Sequence, residues 1–146
     1  MIYLGADHAG YTLKEKVKRY LTQQGLVWED LGALKLDIHD DYPDYAIPVA
    51  RAVAKKNRHR GFLFCGSGNG MAMAANRIKG IRAAVCWNAY TAKKAVEDNQ
   101  ANIISLPTRL LRPEEAIQVI KVYLATKPAR IARHERRVEK IRKLDK

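Results

Sequence analysis

Cysteine is scarce in this chain, with Cys65 and Cys86 the two thiols among 146 residues. Two cysteines cannot staple a small secreted domain through several bridges, and they fit a reducing, cytoplasmic setting. Long apolar runs are missing too. None approaches the roughly 20 residues a membrane-spanning helix needs, so no membrane association is expected. The opening MIYLGADHAG has no basic n-region, and it places Asp7 and His8 where a signal peptide would be apolar. Metal-ligand spacing is absent: His8, His39, His59 and His134 fall into no such pattern, CxxC does not occur, and no metal site is expected. Internal repeats, low-complexity tracts and linkers are missing as well, so residues 1–146 read as one domain. Acidic charge is also short, 15 Asp and Glu against 27 Lys and Arg, for a net +12. Such a surplus fits nucleic acid, a membrane surface or a small anionic substrate.

What is present is alternation. Short apolar runs read as strands at Ile2–Ala6, Leu26–Leu31, Gly61–Phe64, Ile81–Cys86 and Ile103–Leu106. Amphipathic stretches between them read as helices at Tyr11–Gln24, Pro43 to about Lys56, Met71–Arg77, Ala89–Glu97 and Pro113–Ala125. Gly25 closes the first helix, and Asp41 is positioned to cap the second. A charged helix from about Ala129 ends the chain and packs on the domain or on a partner subunit. Strand and helix taking turns imply an α/β sandwich on a parallel five-stranded sheet, helices covering both faces. Ligands in such sheets bind beyond the carboxyl ends of the strands. That edge carries Asp7 and His8, the turn CGSGNG (65–70), Trp87 and Asn88, and Pro107 to Arg109.

A strand, a glycine turn and a helix start leave several backbone N–H groups aimed at one spot, where a phosphate or a developing oxyanion can rest. Cys65 beside those donors would have its thiol pKa lowered toward a usable base or nucleophile. The competing reading makes Cys65 a buried small hydrophobe and the glycines a tight turn. Neither GxGxxG nor GxxxxGK[ST] occurs here, so a dinucleotide or P-loop site is not implied. Asp7 and His8 suit sugar hydroxyls, phosphate or proton transfer, although an Asp after a strand also serves as a helix cap. Arg133 and Arg137 lie four apart on one helical face, with Arg130 a turn earlier, and paired guanidinium groups capture phosphate well. Alternatively they belong to a solvated charged helix.

Taken in order, GADHAG, DYPDYA (41–46), GFLFCGSGNGMAMAANRIKGIRAAVC (61–86) and RHERRVEKI resemble the ribose-5-phosphate isomerase B family, which includes galactose-6-phosphate and allose-6-phosphate isomerases. The likeness runs from the first strand to residue 141. It implies a Rossmann-like three-layer α/β fold with an extended C-terminal helix. It also implies a cofactor-free aldose–ketose isomerase working through a cis-enediolate, most simply ribose 5-phosphate to ribulose 5-phosphate. Cys65 aligns with the base, Ser67 with a hydroxyl that assists proton movement, and Gly66, Gly68, Asn69 and Gly70 with the turn that holds the enediolate. Asp7, His8, Tyr42 and Asn99 match substrate contacts, while His8, Arg109, Arg133 and Arg137 match phosphate contacts. A homodimer, or a pair of dimers, with composite active sites is the family precedent.

The chain departs from that pattern at Asp98. Family members carry a histidine there, assigned to opening the furanose ring, whereas this segment reads DNQAN. Asp98 with a raised pKa opens the ring, or opening occurs without it, or the natural substrate differs. Residues 98–99 precede the fifth strand and so start from the edge opposite Cys65, which calls for their entering a neighbouring subunit's cleft. A hexose-6-phosphate substrate is the alternative within the class. Outside it stands a nucleic-acid-binding protein, prompted by KKNRHR (55–60) and the basic tail, which holds nine Lys and Arg against three acids over 127–146. No RNA-recognition aromatic pattern or DNA-reading motif accompanies that charge, so nucleic acid is the weaker reading.

Overall fold

The computed structural model describes residues 1–145. Five strands, β1 (Ile2–Ala6), β2 (Trp28–Asp30), β3 (Arg60–Cys65), β4 (Ala83–Val85) and β5 (Ile103–Pro107), form one parallel sheet in the order β2-β1-β3-β5-β4. Six helices alternate with or follow them: α1 (Tyr11–Gln23), α2 (Pro43–Ala54), α3 (Asn69–Ala75), α4 (Ala89–Glu97), α5 (Pro113–Ala125) and α6 (Ala132–Arg142). The expected three-layer α/β fold is the one found. No helix of the described residues is long and apolar enough to cross a membrane.

Side-chain alternation along the central strands assigns the two faces. Phe62 and Phe64 of β3, with Ile104 and Leu106 of β5, point to the layer made by α1, α4 and α5. That layer supplies Leu13, Val17 and Leu21, Ala92 and Val96, and Val119, Ile120 and Tyr123. Leu63 and Cys65, one residue out of phase, join Ile103 in meeting α2 and α3 through Val49, Val53 and Met71. Both faces of β3 are therefore dry, as a central parallel strand requires.

Differences from the sequence reading lie at boundaries. β2 and β4 occupy the edges and keep three residues each, though Cys86 N still donates to Ser105 O at 3.0 Å beyond β4. Asp41 does not cap α2: Tyr42 is the N-cap residue, it makes no side-chain cap bond, and Pro43 opens the helix instead. α6 begins at Ala132 rather than Ala129, because Thr126 and Ile131 are extended and Pro128 lies between them. Val138 and His134 are the buried residues of α6. The helix lies at the amino edge of the sheet: Ala129 N donates to Glu97 O at 3.1 Å and Gly80 N to Asp145 Oδ2 at 2.9 Å.

Pairing order positions the chemistry. β3 lies between β1 and β5 in register, Phe64 opposite Ala6 and Cys65 opposite Pro107. The loops leaving β1, β3 and β5 consequently emerge side by side at the carboxyl edge, where the strand order reverses direction.

Candidate active site

Cys65 is the last residue of β3 and only 4% exposed. Its Sγ accepts the N–H of Gly68 at 3.2 Å, so the chain turns back over the thiol at once. That turn requires Gly68 at φ +79°, a left-handed conformation unfavourable for side-chain-bearing residues. Ser105 Oγ donates to Gly68 O at 2.7 Å and clamps the turn to β5. Thr108 binds Cys65 O through both its N–H, at 2.9 Å, and its hydroxyl, at 3.2 Å; the hydroxyl also donates to Ala9 O at 2.8 Å. One side chain thus ties the loops after β1, β3 and β5 together. Ser67 and Asn69 are exposed on the turn, Asn69 N donating to Ser67 Oγ at 3.3 Å.

Two side chains cover the turn. A Cβ at Gly66 would meet the Arg109 guanidinium at 2.7 Å, and one at Gly70 would meet the Tyr42 ring at 2.7 Å. Glycine at these positions lets Arg109 and Tyr42 close over the backbone. From β1, buried Asp7 accepts Gly10 N at 3.1 Å. Burial raises its pKa, and the nearby Asp40 charge adds to that, against the lowering by Gly10 and His8. His8 Nδ1 lies 2.7 Å from Asp40 Oδ1, which also accepts the His8 backbone N–H at 3.1 Å. This bond raises the imidazole pKa above its usual value, although Arg109 opposes it.

Asp40 is a site residue that the sequence reading missed. It lies in the irregular segment 32–42, and its partner is 32 positions away. Its Oδ2 is buried without a hydrogen-bond partner among the described residues. Thr108 and Ser105 were missed for the same reason, since their roles depend on β5 lying beside β3.

The remaining candidates lie elsewhere in the chain. Asp98 is the C-cap residue of α4, with Oδ1 3.7 Å from Lys94 Nζ and 3.8 Å from His134 Nε2. Asn99 follows it, its carbonyl accepting Arg82 Nε at 3.1 Å. Arg133 and Arg137 are exposed on α6, in no ion pair among the described residues. All four belong to the amino edge of the sheet, and Asp7, His8, Tyr42, Cys65, the turn 66–70 and Arg109 to the carboxyl edge.

A family model described as Ribose/Galactose Isomerase matches residues 2–141. The chain belongs to the ribose/galactose isomerase family. Ribose-5-phosphate isomerase B of Mycobacterium tuberculosis is 38% identical over 138 residues, which cover 94% of this chain and 85% of that protein. The ribose 5-phosphate isomerase structure from Thermotoga maritima matches with a TM-score of 0.92 at 43% identity, covering 97% of both chains. Ribose-5-phosphate isomerase B from Mycoplasma genitalium, solved with bound ribulose-5-phosphate, matches with a TM-score of 0.94 at 36% identity, covering 98% of this chain and 94% of that one. The chain is accordingly an aldose–ketose isomerase.

For a member of this family, the state of Cys65 needs correcting against the sequence expectation. Its thiol pKa is raised, not lowered. Burial dominates and the Asp7 charge adds to it, while the N–H groups of Met71, Gly68 and Ser67 pull the other way without prevailing. At neutral pH the thiol form therefore predominates, with the donors in place to hold the thiolate once it forms. Cys86 is pushed further, to about 12, by burial alone, with no comparable donors among the described residues.

Proposed function

We propose that residues 1–146 act as one catalytic domain that interconverts ribose 5-phosphate and ribulose 5-phosphate, with Cys65 as the base. The observation that carries this reading is the convergence of a buried thiol, its N–H-lined turn, a charged-pair histidine and an arginine at one strand edge. His8, held toward its imidazolium form by Asp40, and Arg109 take the phosphate dianion. Asp7 and Tyr42 orient the sugar hydroxyls.

In the open-chain aldose, the Cys65 thiolate removes the proton on C2, and the electron pair moves through C1 to the carbonyl oxygen. The resulting enediolate rests on the N–H groups of Gly66 to Gly70. Ser67 passes a proton between the two substrate oxygens, and Cys65 returns the carbon-bound proton to C1. No electron acceptor outside the sugar is needed, because C1 is reduced as C2 is oxidised.

Asp98, Asn99, Arg133 and Arg137 reach this cleft from a second copy of the chain. Four residues suited to sugar and phosphate stand too far from Cys65 along the strands to serve it themselves, which supports a homodimer with composite sites. Within such a cleft Asp98 opens the furanose ring. If Cys65→Ala left isomerisation of every tested aldose phosphate intact, Cys65 would not be the base. Comparing kcat/KM for pentose 5-phosphates and hexose 6-phosphates tests the substrate, and higher values for ribose 5-phosphate are expected.

A further inference from the structure

The amino edge holds a cavity that the proposed reaction does not use. It measures about 670 Å³ and is lined by Arg60 at the start of β3, Arg82 just before β4, Arg130 between α5 and α6, and Arg142 at the end of α6. Lys79 adds a fifth cation, against one lining carboxylate among the described residues, Asp145, whose Oδ2 already accepts Gly80 N at 2.9 Å. Cys65, His8 and Arg109 belong to the other edge, and Asp98, Arg133 and Arg137 do not line this cavity.

The guanidinium groups are held in place mainly by acceptors that carry no charge. Arg82 donates to Gln100 O through Nε at 3.0 Å and Nη2 at 2.9 Å, and through Nε to Asn99 O at 3.1 Å. Arg60 Nη1 donates to Asn57 O and His59 O, both at 2.8 Å, and Arg142 Nη2 to Gln100 Oε1 at 3.3 Å. The acids that do approach, Glu135 near Arg130 at 3.4 Å and Glu139 near Arg142 at 3.6 Å, form solvent-exposed pairs of small energetic weight. Burial, then the charges of Arg142 and Arg60, hold the Arg82 pKa down despite Asp145. Like charges fixed around a recess repel, and an anion seated among them removes the repulsion while gaining forked guanidinium bonds.

We propose that this cavity is a second, non-catalytic site for a small polyanion bearing two or more phosphoryl groups. Its recessed form and its size suit a small molecule better than a nucleic-acid strand, which calls for an extended basic groove. The site also accounts for charge the isomerase reaction leaves unexplained, since Arg60 ends the KKNRHR segment and Arg142 lies in the basic tail.

Inorganic pyrophosphate titrated calorimetrically into the full chain at about 150 mM salt, where exposed charges are screened, is the direct test. The unaltered protein and Arg109→Gln are expected to bind it alike. The R60Q/R142Q double variant should bind at least about tenfold more weakly, because two charge-assisted contacts are lost. Its kcat/KM for ribose 5-phosphate should stay within about twofold, because neither Arg60 nor Arg142 is among the groups proposed to meet the substrate. That turnover also reports correct folding; if the double variant does not fold, R60Q and R142Q singly must each weaken binding. Unchanged pyrophosphate affinity in the folded double variant overturns the proposal. So does loss of binding in Arg109→Gln, which would place the anion in the substrate's phosphate site, and so does tighter binding of a short oligonucleotide than of pyrophosphate.

Discussion

At the carboxyl edge of the sheet, the candidate catalytic groups are tied down from within the chain, whereas at the amino edge they face outward. Cys65 receives Gly68 N, Asp7 receives Gly10 N, His8 is held by Asp40, and Thr108 joins three loops. Arg133 and Arg137 have no acidic partner among the described residues, and Asp98 has only long contacts to Lys94 and His134. Parallel strands separate the two sets, since every strand runs the same way from the amino to the carboxyl edge. Groups fixed internally are ready to act on a ligand, and groups left outward must find their ligand on another surface. On the proposed homodimer, one active site is divided between two copies of the chain.

The largest effect is expected at the carboxyl edge. Cys65→Ala should lower kcat by about 10³-fold, the range for loss of a positioned general base, with KM for ribose 5-phosphate little changed. Steady-state kinetics with folding checked by circular dichroism reads this directly. A smaller loss, expressed mainly in KM, is expected at the amino edge. R133Q/R137Q should raise KM by about 10²-fold, each solvent-exposed charge-assisted phosphate contact being worth about 1.5 kcal/mol. If that variant behaved like the unaltered enzyme, the amino edge would have no part in the site.

A subtler effect concerns the Asp40–His8 pair. Both His8 and Cys65 have raised pKa values, and the proposed active form needs the imidazolium together with the thiolate. The kcat/KM profile should then rise up to the His8 pKa, run flat, and fall above the Cys65 pKa. Asp40→Asn removes the main cause of the His8 shift. The acidic limb should move to lower pH and the plateau should drop by the same factor, while the basic limb stays in place. The sign follows for stability too: His8 gains from Asp40 when protonated, so that contribution is complete at low pH and lost as pH rises through the raised pKa.

How far the sequence anticipated all this varied with the range of the interactions. α4 and α5 occupy the expected spans, because Asn88, which accepts Thr91 N at 2.8 Å, and Pro113 are local start signals. β2 and β4 came out short because each is an edge strand with one neighbour. Cys65, the glycine turn, Asp7, His8 and Arg109 were readable from their position after strands. Asp40, Ser105 and Thr108 were not, since their partners are set by strand order and loop closure across 32 to 99 residues. The Cys65 shift was misjudged because local donors are visible in a sequence and burial by α2 and α3 is not.

The most direct test of the divided site is subunit complementation. Cys65→Ala and R133Q/R137Q proteins, each nearly inactive at substrate concentrations well below the variant KM, are unfolded together, refolded as a mixture and assayed. In random dimers half the molecules are hybrids, and each hybrid carries one site with Cys65 from one chain and both arginines from the other. Recovery of up to about a quarter of the unaltered activity is the predicted result. Activity no higher than the sum of the two variants alone would contradict the account, since all the groups would then have to serve within a single chain.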